Sequence, residues 1–142
     1  MNLLNAQMKR FDLLITEIDK AYHAAAQKMG LSDSALLILY TLCGGGGECM
    51  LSEITAVAGK QTVNSALRKL EADGIVTSEL SDGRKKKLRL TEKGRQLAER
   101  TASRLICIEN GIFDSWSDEE KEAYIGLTKR YLTMFKEKMK EL

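Results

Sequence analysis

The stretch Gly59–Gly94, GKQTVNSALRKLEADGIVTSELSDGRKKKLRLTEKG, decides how the rest of the chain is read. Val63, Ala66, Leu67 and Leu70 recur at i, i+3, i+4 and i+7, the spacing that lays apolar side chains along one face of a helix. The opposite face then carries Gln61, Thr62, Asn64, Ser65 and Arg68, polar and nearly free of acid. Gly74 stands where a helix takes its left-handed stop, and Ile75, Val76 and Thr77 favour a strand directly after it. Asp82-Gly83 is a strong hairpin-turn pair, and the return run from Lys85 to Leu90 ends at Thr91, a side chain suited to cap the next helix. The hairpin tip gathers Arg84, Lys85, Lys86 and Lys87.

A short helix with Gln, Thr, Asn and Ser near its start can enter the major groove of double-stranded DNA, where Asn and Gln pair bidentately with adenine edges. A hairpin tipped with Arg and Lys can reach the phosphate backbone or the narrower groove beside it. Together they predict a helix-turn-helix with a wing. A solvated amphipathic helix followed by a charged turn would suit either half alone, and accounts less well for the two in succession.

The surrounding chain fits this reading. With 142 residues, 44% hydrophobic and 30% charged, it is sized and balanced for one domain with a real core. No run approaches a membrane span, and the charges near the start leave no uninterrupted apolar region for a signal, so the expected location is cytoplasmic. Net charge is only +2, but residues 60–100 hold 11 basic and 6 acidic side chains while both flanks are slightly acidic. The excess positive charge therefore lies in the helix and hairpin, as expected if that region meets phosphates and the ends meet protein. Cys43, Cys49 and Cys107 cannot all pair within one chain and match no common zinc spacing. Small apolar residues in a reducing cytosol is the favoured reading of them, with a redox-sensing thiol the alternative. One histidine and no pairing of a nucleophile with a base leave an enzyme without support, and no cofactor or metal is expected.

From Leu4 onward, Met8, Phe11, Ile15, Ile18, Tyr22, Ala25 and Met29 are separated alternately by 3 and 4 residues, an a/d seam sustained over nearly four heptads. A small domain does not need so long a seam, so part of it is expected to pack on a second subunit; a core helix inside one monomer is the alternative. Gly30 ends this helix, and either Ser32 or Asp33 can cap the next, a mostly apolar element that should be central. The Gly44–Gly47 run lacks the Gly-Lys-Ser/Thr ending of a phosphate loop and is read as a flexible connection. Cys49-Met50-Leu51 predicts a short strand beside the wing, with Ser52 capping a helix over 53–58. After the wing one long helix is expected over 91–112. Ser117-Asp118-Glu119-Glu120 is a capping box for a last helix, reaching the C-terminus with a wide apolar face that includes Tyr131 and Phe135.

This arrangement resembles the MarR family of dimeric winged-helix transcriptional regulators, over nearly the whole length. The most specific part is Asp82-x-Arg84 followed by Leu90-Thr91-Glu92-Lys93-Gly94; Leu31-Ser32, Thr62-Val63, Leu70-Glu71 and Gly74-Ile75-Val76 also match. The resemblance implies a homodimer on a pseudo-palindromic operator, with the recognition helix in the major groove and Arg84 in the minor groove, oriented by Asp82. Two departures stand out. Asn64-Ser65 occupies the place where the family often has Ser-Arg, leaving Arg68 to replace part of the contact, and the wing is shorter, without proline and richer in lysine.

The fold class expected is therefore mainly α with a small β component: one domain over 1–142, with a winged lobe over 31–92 and dimerisation helices over 1–30 and 93–142. Ser52, Gln61, Thr62, Asn64, Ser65, Arg68, Arg84, Lys85, Lys86 and Lys87 are expected to meet DNA. Leu4, Met8, Phe11, Ile15, Ile18, Tyr131 and Phe135 are expected at the dimer contact. The resemblance further implies effector binding between the dimer layer and the DNA-binding lobe, where Tyr22, His23, Tyr40 and Cys43 would suit a small aromatic ligand; filling the core is the other reading of these four. The function expected is a repressor released by a small molecule. The alternatives are a thiol-based redox switch or a constitutive architectural protein.

Overall fold

A computed structural model describes residues 3–142. The elements run α1 (Ala6–Lys28), α2 (Asp33–Gly44), β1 (Glu48–Met50), α3 (Leu51–Thr55), α4 (Lys60–Ala72), β2 (Val76–Ser81), β3 (Lys85–Leu90), α5 (Glu92–Arg100), α6 (Ala102–Asp114) and α7 (Asp118–Met139). They cluster into two compact units, 3–104 and 105–142, the boundary falling within α6.

In the first unit α2 is the hub. Ser32, not Asp33, caps it by accepting the Ala35 N–H at 3.1 Å. Leu36, Ile38, Leu39 and Leu42 are buried along it, and it packs on α1, α3, α4, α5, β1 and β3. Each such side chain contributes about 1.5–3 kcal/mol of transfer free energy to gathering those elements around one core. The antiparallel sheet has the order β1-β3-β2, which puts the hairpin's return strand in the middle. Leu88 at its centre is fully buried and lies opposite the buried Cys49.

Three local expectations are corrected. The glycine run is an ordered turn rather than a flexible connection: the Gly47 N–H donates to Leu42 O at 2.8 Å, and Gly47 O accepts from Leu90 N at 2.9 Å. A Cβ on Gly45 would lie 2.2 Å from Glu48 O, so close backbone approach requires glycine there. Ser52 does not cap α3. That helix starts directly from β1 with Met50 at the cap position, and Glu53 accepts the Met50 N–H at 2.7 Å. The connecting helix is also not continuous, because it breaks at Thr101 (φ −126°, ψ −93°). The buried Thr101 hydroxyl donates to Leu97 O at 2.7 Å, the i−4 back-bond that bends helices.

In the second unit the capping box forms as read. Ser117 Oγ accepts from Glu120 N at 3.1 Å, and a Glu120 carboxylate oxygen accepts from Ser117 N at 2.9 Å. These bonds hold the Glu120 carboxyl below its ordinary range. Phe113, Trp116 and Tyr124 meet edge to face with centroids 5.2–6.1 Å apart, fixing the corner into α7.

Helices α1 and α7 carry large apolar side chains that stay exposed. Only Ala26 is buried on α1, and the seam residues Leu4, Phe11, Ile15, Ile18 and Tyr22 remain 39–43% exposed, with Met8 half-buried. No residue of α7 is buried, and Tyr131 and Phe135 stack on each other at 6.0 Å while staying exposed. No helix among the described residues is long and apolar enough to cross a membrane.

Candidate nucleic-acid interface

Helix α4 is held from behind and open in front. Val63, Leu67 and Leu70 are buried, and α2 and α3 pack against the helix. Gln61, Thr62, Asn64, Ser65 and Arg68 all remain exposed. Its end is a Schellman stop: Gly74 takes φ 74°, Gly74 N donates to Glu71 O at 3.1 Å, and Ile75 N donates to Leu70 O at 2.9 Å. With α3 and the turn at 56–59, this makes the helix-turn-helix.

The exit from the wing clasps that stop. Thr91 Oγ1 caps α5 by accepting from Gly94 N at 3.0 Å and reaches the carbonyls of Gly74 and Ile75. Lys93 Nζ donates to Asp73 O at 2.8 Å, setting a cation at the negative end of α4. Gly94 is sterically required. A Cβ there would lie 2.0 Å from Ile75 O.

The wing separates the four basic residues that the sequence groups together. Ser81 pairs with Lys85, leaving Asp82, Gly83 and Arg84 as the turn, with Asp82 at φ 45° and Gly83 at φ 83°. Aspartate tolerates the left-handed region better than most side chains, which gives Asp82 a role in the turn itself. Among the described residues no ion pair joins Asp82 to Arg84. Arg84, Lys85 and Lys86 are exposed. Lys87 is not part of the tip: its ammonium lies 3.2 Å from Glu48, and its side chain is 27% exposed. Arg89 continues the ladder, 3.2 Å from Glu48 and 3.4 Å from Glu79. The strand period of two puts Lys87 and Arg89 on one face and Lys86 on the other.

Between α3, the start of α4 and the wing lies a groove of about 730 Å³. Ser52, Asn64, Asp82, Arg84, Lys85 and Lys86 line it, so residues far apart in sequence share one concavity. Lys60, Thr55 and Leu80 line it too and were missed. Lys60 was legible from its place at the start of the helix, whereas Leu80 needed the wing register. Cations beside an amide and a hydroxyl can hold a phosphate backbone while presenting donors and acceptors to base edges.

Of the expected effector residues, His23 and Cys43 lie at opposite ends of α2. His23 Nδ1 is 2.9 Å from Asp33 at the start of α2, while Cys43 Sγ is 3.6 Å from Ser103 Oγ at its other end. Ten residues of helix put about 15 Å between those two contacts. Tyr40 is half-buried on α2 and Tyr22 is exposed on α1. Among the cysteines, burial and then Glu53 push the Cys49 thiol up to about 11; Cys107 is exposed. No group of three metal-ligating side chains occurs among the described residues.

Comparison with solved structures gives the architecture a name. A MarR family regulator from Neisseria meningitidis matches with a TM-score of 0.82 at 20% identity, over 99% of each chain. This chain has the MarR winged-helix fold. The S. aureus MepR–DNA complex shares the fold with a TM-score of 0.70 at 18% identity, over 95% of this chain and 99% of that one. Bordetella bronchiseptica BpsR, described with regulation of its DNA binding by 6-hydroxynicotinic acid, matches at 0.62 and 20% identity, over 86% of this chain and 98% of its own. No family model matches the chain, and no curated protein matches it. The MarR fold is thus recognised here through backbone geometry.

Proposed function

We propose that this protein is a cytoplasmic, homodimeric, sequence-specific transcription regulator that binds a pseudo-palindromic operator as a repressor and is released by a small molecule. One observation carries the reading: Asn64, Ser52, Arg84, Lys85 and Lys86 converge on a single open groove beside the exposed polar face of α4. In this reading α4 enters the major groove with Gln61, Thr62, Asn64, Ser65 and Arg68 toward the bases, and the wing contacts the backbone and the adjacent minor groove. The fold shared with a DNA complex of MepR supports it, as does the fold shared with BpsR, whose DNA binding responds to 6-hydroxynicotinic acid.

Dimerisation rests on the uncovered apolar faces of α1 and α7. Apolar helix faces of that length are unstable in water, and a second copy supplies an identical complementary surface. Selection of bound fragments from genomic DNA, followed by footprinting, tests the reading. The expected result is protection of an inverted repeat whose half-sites lie about 10 base pairs apart or a multiple of that. Protection without sequence preference would overturn it.

A further inference from the structure

We propose that the groove between α4 and the wing grips one DNA strand by its sugars as well as its phosphates, with Leu80 as the residue that selects 2′-deoxyribose. Lys60, Lys85 and Lys86 take the phosphates, and Leu80, Met50 and Leu51 lie against the sugars. This rests on the regulator reading and adds a sugar contact to it. A single exposed leucine needs no explanation in itself, so the argument lies in where this one stands. Across the hairpin Val76 pairs with Leu90, Ser78 with Leu88 and Leu80 with Lys86, and the strand period of two puts them all on one face of the sheet. At the base of the wing that face is core, with Val76 and Leu88 buried. Further along, Ser78 Oγ donates to a Glu71 carboxylate oxygen of α4 at 3.0 Å, so the face still looks toward the recognition helix. At Leu80 the core has ended, and the side chain stands 68% exposed over the groove.

The chemistry of the lining matches a backbone strand. Met50 and Leu51, half-buried at the junction of β1 and α3, add apolar surface to the same concavity. Lys60, Lys85 and Lys86 are exposed around it, and among the described residues no carboxylate forms an ion pair with them. Asp82 is the one acid in the lining and leaves it net positive. With α4 in the major groove and the wing at the minor groove, the strand that separates the two grooves runs through this concavity. Such a strand alternates anionic phosphates with rings whose C2′ carries only hydrogen in DNA and a hydroxyl in RNA. A methylene can rest against Leu80, whereas a hydroxyl pressed there loses water and finds no partner to replace it.

The test uses two duplexes of one arbitrary sequence, about two helical turns long, one all deoxy and one with a ribonucleotide at every fourth position of both strands. Fluorescence anisotropy at low salt measures their binding to the full-length parent, to Leu80→Ser and to Leu80→Met. Leu80→Ser should bind the all-deoxy duplex about fivefold more weakly, with the slope against log salt unchanged because no charge is removed. The parent's preference for the deoxy duplex should exceed that of Leu80→Ser by about fivefold, and Leu80→Met should restore it. Any change of duplex shape caused by the ribonucleotides is common to all three proteins and cancels in that ratio. Leu80 is exposed, and an unchanged thermal melt verifies the fold. Full affinity in Leu80→Ser, a flattened salt slope, or a deoxy preference that survives in this variant would overturn the proposal and leave the regulator. Binding of the parent to neither duplex would overturn both. Duplex binding of the expected pattern without any sequence preference in the genomic selection would remove the operator reading and leave the strand grip.

Discussion

The division of the wing lysines can be measured. Lys85 and Lys86 are exposed at the groove, whereas Lys87 has its charge beside Glu48 at 3.2 Å. A dimer neutralising on the order of 8 phosphates has a slope of log affinity against log salt of roughly −7. Replacing Lys85 and Lys86 by Gln in both protomers removes up to four of those contacts and brings the slope to roughly −3.5. Between 50 and 200 mM salt the parent should then lose about 10⁴ in affinity and the double variant only about 10². Lys87→Gln should shift the slope by less than about 1, because the charge it removes is already matched by a carboxylate. Fluorescence anisotropy with a labelled operator over that salt range reads all three slopes. If Lys87→Gln flattens the slope by half as much as the double variant does, the ion-pair ladder does not hold Lys87 away from DNA and the argument fails.

Other expectations are as specific. Asn64→Ala or Gln61→Ala should cost about 1–3 kcal/mol on the operator and much less on random DNA; equal losses would mean these side chains do not read bases. Aspartate at Phe11, Ile15, Tyr131 or Phe135 should give monomer or aggregate by light scattering, with operator binding lost; a normal dimer would refute the placement of the interface. Gly94→Ala must displace Ile75 O and should destabilise by about 3 kcal/mol in chemical denaturation, whereas the same change at an uncrowded helix position stabilises by ~0.4–1 kcal/mol. Because the folded Cys49 thiol is raised above its ordinary value, the unfolded chain ionises first. Stability from this group is therefore full below pH about 9 and is lost as pH rises toward 11. A thiol reagent at pH 8 should accordingly label the exposed Cys107 well before Cys49. Peroxide release of the operator, abolished by one Cys→Ser change, would favour a thiol switch over a ligand.

What the sequence made legible was local. The 3.6-residue period of Val63, Leu67 and Leu70, the left-handed Gly74, the Asp82-Gly83 turn, and the Thr91 and Ser117 caps each depend on residues within one or two turns of one another. What it hid depends on partners far along the chain. Gly94 looks dispensable until Ile75 O is found against it, and Gly45 until Glu48 O is. Lys87 resembles its neighbours until the register sets it on the same face as Glu48. His23 meets the start of α2 while Cys43 lies near its other end, and a helix places its two ends far apart. Thr101 interrupts a favourable helical pattern through a buried hydroxyl bond that composition does not reveal.

The contact between Gly94 and Ile75 has a mechanical consequence. With no side chain between them, and with Thr91 and Lys93 bonded to the same carbonyl end, the first turn of α5 and the last turn of α4 share one pivot. From that pivot α4 extends 13 residues, about 20 Å, toward its reading end. A tilt of about 10° at the pivot swings the far end by roughly 3 Å, close to the 3.4 Å step between successive base pairs. In the proposed reading, a tilt of that size would shift the start of α4 by about one base-pair step along DNA.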